Sequence, residues 1–168
     1  MRIRPRRFTA LAVLLAASAF AAHAAEITLR DDKFQPYREY TTGRVVVSTY
    51  PNLLATELLA RIDRKTAAAE TLVSVEVAYE GYRARHYDGA RDAHAEPLAF
   101  NAVAHEGGCP RPPCTYDEKF TVAIPIPELR NAPAAGYQLK VFAKGGGDAV
   151  ITVPRGAIDR LLAVIDKH

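Results

Sequence analysis

The chain's only two cysteines, Cys109 and Cys114, bracket a Pro-Arg-Pro-Pro bend, and the side chains alternate on both sides of it. Before the bend, Leu98, Phe100, Ala102 and Ala104 take one set of alternate positions. After it, Tyr116, Phe120, Val122, Ile124 and Ile126 take one set, and Asp117, Lys119 and Thr121 the other. A repeat of two residues is that of a strand with one face toward a core. Two such strands joined by a proline-stiffened bend predict the centre of an antiparallel sheet with one wet face. In this register His105 shares the solvent side with Asn101.

The bend also bears on compartment. Arg2, Arg4, Arg6 and Arg7 precede an uncharged run of 15 residues, Phe8 to Ala22, and Ala22-His23-Ala24 follows with small residues around a single spacer. This is the pattern of a secretory signal peptide, with cleavage expected after Ala24. The apolar run falls short of the roughly 20 residues of a membrane span, and no comparable run follows, so the mature chain is expected to lack a transmembrane segment. Neither a lipid-anchored cysteine nor a good twin-arginine context is present. Losing the leader takes the basic residues from 22 to 18 against 19 acidic ones, a net charge of −1. The basic balance of the full chain therefore belongs to the leader, and no nucleic-acid partner is expected.

The residues after the leader are expected to form one domain, 25–168. Ile27 and Leu29 alternate in a first strand; Asp31 to Tyr40 reads as a polar loop; Arg44 to Tyr50 is rich in β-branched residues and reads as a strand ended by Pro51. Asn52 to Thr71 fits either a helical stripe (Leu54, Leu58, Ile62) or an alternating strand (Leu58, Ala60, Ile62), and the strand is preferred because it gives the next segment an antiparallel neighbour. In that segment Val73, Val75, Val77 and Tyr79 face one way. Arg83 to Pro97 is a polar connection without a period. Tyr137 to Val141 and Ala149 to Val153, separated by Lys144-Gly-Gly-Gly-Asp148, predict a hairpin. Pro154 opens a helix, about 155–166, on which Ile158, Leu161, Leu162 and Ile165 form one apolar stripe. The expected fold is mainly β: an antiparallel sandwich, loosely immunoglobulin-like, of seven or eight strands with one C-terminal α-helix.

Chemistry is sparse. Export to an oxidising compartment and an even cysteine count predict a structural Cys109–Cys114 disulfide rather than a redox pair, which favours a C-x-x-C turn. His86, His94 and His105 can be drawn as a metal cluster, but their spacing matches no established ligand pattern; no metal and no cofactor is expected. There is no nucleophile elbow, no triad spacing and no phosphate loop. The paired carboxylates Asp31–Asp32 and Asp117–Glu118 are neighbours that point to opposite faces of a strand, and read as solvated charges. One patch combines the side chains that interfaces concentrate: Tyr82, Arg83, Arg85, His86 and Tyr87, just past a strand end. Its plainer account is ordinary tyrosine packing beside a solvated loop.

These features lean away from an enzyme and toward an exported binding or accessory module with an unidentified protein or envelope partner, periplasmic or secreted. Two alternatives differ in kind. One is a carrier of a small apolar ligand, which needs an open interior. The other is a metal-binding protein or metalloenzyme using His86, His94 and His105.

Overall fold

The computed structural model describes residues 26–48, 52–111 and 113–168, so the leader, Tyr50-Pro51 and the middle of the proline bend lie outside the described residues. The architecture is two antiparallel sheets with a C-terminal helix. Sheet A holds β1 (Thr28–Arg30), β2 (Tyr37–Thr41), β3 (Val45–Ser48), β4 (Asn52–Asp63), β5 (Ala69–Gly81), β8 (Phe100–Gly107) and β9 (Cys114–Ala123). Sheet B holds β6 (Tyr87–Asp92), β7 (Pro97–Leu98), β10 (Tyr137–Ala143) and β11 (Ala149–Val153). The order in sheet A is β1-β2-β4-β5-β9-β8, with β3 beside the other half of β4; in sheet B it is β11-β10-β6-β7. Helices α1 (Ile126–Arg130) and α2 (Arg155–Ile165) follow β9 and β11.

Alternation dictates the core. Val73, Val75, Val77 and Tyr79 of β5 are buried beside Tyr116, Phe120 and Val122 of β9, and the inward residues of sheet B, Leu139, Val141, Ile151 and Val153, join the same cluster. Between the sheets the Phe120 ring lies 5.1 Å from that of Tyr87 and 5.0 Å from that of Phe100. The stripe Ile158, Leu161, Leu162 of α2 is buried in this cluster, the helix lying against β4 and β2. At roughly 1.5–3 kcal/mol per buried aliphatic side chain, these three contacts outweigh the helix's weak start, which has no side-chain cap. No helix among the described residues is long and apolar enough to cross a membrane.

Asn52 to Asp63 is the strand, and Leu58 faces Val73 in its pairing with β5. Eleven strands are present among the described residues rather than seven or eight, because three were hidden. Tyr37–Thr41 forms β2 rather than a loop: it lies near the outer margin of sheet A, where polar side chains are tolerated. Tyr87–Asp92 forms β6, in the middle of sheet B although only Tyr87 and Ala90 are buried. Leu98 belongs to β7 and Phe100 to β8, so the segment read as one strand crosses between sheets at Ala99. Beyond β9, Pro125 is followed by the single turn of α1, which takes Ile126 out of the strand alternation.

The largest departure is one extra residue. The β8–β9 register shifts between Ala102 and Ala104, leaving Val103 as a bulge. Because a strand's faces alternate, one inserted residue moves everything after it to the other face. Ala102 pairs with Phe120 as alternation predicts, but His105 pairs with Glu118 and joins the core-facing side, away from Asn101.

Candidate functional site

Glu118 lies in phase with Tyr116 and Phe120, so β9 delivers a carboxylate to the inner face of sheet A, where it is only 4% exposed. It is therefore not the solvated charge its pairing with Asp117 indicated. A buried carboxylate persists only when its oxygens are saturated with donors, and here Tyr79 of β5 and the residues just before and at the start of β6 supply them. Oε1 accepts the backbone N–H of Arg85 and of His86, both at 3.1 Å, and the Tyr79 hydroxyl; Oε2 accepts the N–H of Tyr87 at 3.0 Å. Burial alone pushes the Glu118 carboxyl up, but the Tyr79 hydroxyl and these three N–H groups prevail and hold it below the usual carboxylate range. The Tyr79 phenol moves the other way, raised by burial and by donation to Glu118.

The loop between β5 and β6 is held from two further sides. The Arg85 guanidinium stacks 4.1 Å from the Tyr79 ring centre and donates to Asn52 Oδ1 at 3.0 Å. From sheet B, the turn after β10 donates Gly145 N–H to Arg85 O at 2.7 Å and Lys144 N–H to His86 O at 3.1 Å. Gly145 is required there: a Cβ would stand 2.5 Å from the Ala84 carbonyl oxygen. The result is a loop whose main chain is fixed by both sheets, with His86 in the left-handed region at φ 55°.

The five patch residues divide accordingly. Tyr82, 81% exposed, and Arg83 face solvent, and neither side chain makes a hydrogen bond or ion pair among the described residues. His86 is also exposed. Arg85 is half-buried in its stack on Tyr79, and Tyr87 is buried, its ring against Phe120 and its hydroxyl donating to Gly147 O at 2.9 Å.

The bulge brings His105 to the same place from β8. Its ring centre lies 4.7 Å from that of His86, and its Nδ1 lies 3.9 Å from Glu118 Oε1. His86, His105 and Glu118 line an open pocket of about 280 Å3 together with Asp88, Lys119 and Lys144. His94 is elsewhere, past the far end of β6 beside Asp92, Glu96 and Tyr137. Sequence reasoning passed over Glu118. The signal was present, since its position is in phase with the apolar set of β9.

At the bend, the Cys109 and Cys114 sulfurs stand at bonding distance, 2.07 Å, closing the tip of the β8–β9 hairpin. No protein-family model matches the chain, and no curated protein or solved structure matches it either.

Proposed function

We propose that the protein is an exported, non-enzymatic binding or accessory module of the bacterial envelope, and that it engages its partner through the loop Tyr82–His86. The observation that carries this reading is the contrast within that loop: its backbone is anchored by a buried carboxylate and two sheets, while the Tyr82 and Arg83 side chains are left outside with no hydrogen bond or ion pair among the described residues. Ordering a loop before it meets a partner removes much of the entropic cost of binding, and tyrosine and arginine are the residues from which interface hot spots are built. Arg85 and Tyr87 support the loop from below. An apolar-ligand carrier is disfavoured because Tyr79, Tyr87, Phe100, Tyr116 and Phe120 fill the space in the core cluster.

The test compares envelope cross-linking of the wild type with a Tyr82→Ala/Arg83→Ala variant. The cross-linked partner is expected to fall tenfold or more in the variant, while Val150→Ala, on an exposed face of β11, leaves it unchanged. An undiminished adduct would remove the loop from the proposal.

Export rests on the Arg2–Ala24 pattern and on the cysteine pair, which suits an oxidising compartment. Protein recovered from the periplasm or medium is expected to take a thiol-specific label only after reduction. Labelling of the unreduced protein would count against both the bridge and the compartment. Closing this short loop contributes about 2 kcal/mol in the chain-entropy account.

A further inference from the structure

We propose that His86 and His105 form a binding site for a borderline divalent transition metal, of which copper(II) is the strongest occupant. This goes beyond the partner surface at Tyr82 and Arg83: it shares their loop through His86 and involves neither of those two side chains. Imidazole is a favoured ligand for copper, zinc and nickel, and copper(II) heads the affinity order for such donors.

Three separate features converge on the pair. His86 holds a left-handed backbone conformation at φ 55° that is uncommon outside glycine, and the Glu118 carboxylate fixes it by accepting the N–H groups on and around it. Conformations of this kind persist where surrounding structure enforces them, and they collect at functional sites. The Val103 bulge then moves His105 to the face that carries Glu118, where its side chain stays 40% exposed. Bulges likewise re-aim side chains beside sites. Together these place the two imidazole ring centres 4.7 Å apart, a spacing compatible with two imidazoles in adjacent positions on one ion.

The surroundings suit a ligand pair. Glu118 Oε1 lies 3.9 Å from His105 Nδ1, close enough to place negative charge beside the imidazole and favour a cation there. The pocket is open, so water can complete the coordination shell. Among the described residues no three His, Cys, Asp or Glu side chains stand together as a metal cage. The site is accordingly two histidines plus solvent. Asp88 on the same wall is held by Lys144 Nζ at 3.3 Å, and His94 takes no part.

Untagged full-length protein as processed by the cell, stripped with chelator, is titrated with copper(II) chloride by calorimetry and by electron paramagnetic resonance. One equivalent is expected to bind with the nitrogen hyperfine pattern of imidazole ligands. His86→Asn, which tolerates the left-handed backbone, and His105→Gln are each expected to weaken binding tenfold or more, with circular dichroism unchanged. His94→Gln is expected to bind as the wild type does. A loss of less than tenfold in either pair variant, or an equal loss in His94→Gln, would overturn the site.

Discussion

Replacing Glu118 with alanine is expected to destabilise the fold by about 3–5 kcal/mol, measured as a shift of the urea midpoint followed by tyrosine fluorescence, since the chain has no tryptophan. The substitution leaves the N–H groups of His86 and Tyr87 and the Tyr79 hydroxyl without their acceptor at a carboxylate that is almost fully buried, while the Arg85 N–H keeps the Tyr79 oxygen at 2.6 Å. Charge-assisted hydrogen bonds contribute about 1.5–3 kcal/mol each, and deserted buried donors cost about 1–3. Four bonds that share one carboxylate do not add, which sets the total near the stated range. Against the 5–15 kcal/mol typical of a whole domain, that is a large fraction. Glu118→Gln keeps the shape but turns one oxygen into a donor facing a donor, so an intermediate loss is expected. A loss under about 1 kcal/mol for the alanine variant would mean that the loop's N–H groups find acceptors elsewhere.

The same carboxylate sets an acid limit. Its folded pKa lies below its ordinary value, so its stabilisation is complete above the unfolded glutamate value of about 4.3 and drains away as pH falls through the folded value. Subtracting the Glu118→Gln profile from that of the wild type isolates this contribution from those of Asp31, Asp63, Asp148 and Asp166, whose carboxyls are also lowered but lie nearer the surface.

Phe120→Ala is expected to cost a similar 3–5 kcal/mol, the range for emptying a buried phenylalanine site. Phe120 is 1% exposed, touches rings from both sheets and pairs with Val75 and Ala102 across its own. Truncation removes the filler between the layers, and β9 is itself held between β5 and β8, so collapse into the void is restricted. For a domain of this size the thermal midpoint is expected to fall by about 10 °C or more. A drop of only one or two degrees would show that Tyr87 and Phe100 close the gap unaided.

How much of this was readable in the chain depended on how each segment meets water. β5 and β9 were legible because one face is apolar and the other charged, and period two survives intact across both. The hairpin of β10 and β11 and the stripe of α2 were legible for the same reason. β6 was not: Tyr-Asp-Gly-Ala-Arg-Asp carries too little apolar weight, and it is central through hydrogen bonding on both edges rather than through composition. β8 misled because alternation cannot reveal one extra residue, so His105 was assigned to the wrong face until Val103 was seen to bulge. Glu118 was read as surface because a carboxylate among apolar side chains looks like an interruption of the pattern; its stability inside depends on donors from a loop more than 30 positions away in sequence. Tyr82 and Arg83 are marked by residue type alone, and only the three-dimensional arrangement separates their exposed side chains from those of Arg85 and Tyr87.

The passage of the chain at Ala99 has a mechanical consequence. One residue separates Leu98 in one layer from Phe100 in the other, and the Ala99 carbonyl accepts the Ala123 N–H at 2.9 Å. A tether that short has no slack. Where the chain crosses, the two layers are coupled, so opening one at this edge pulls directly on the other.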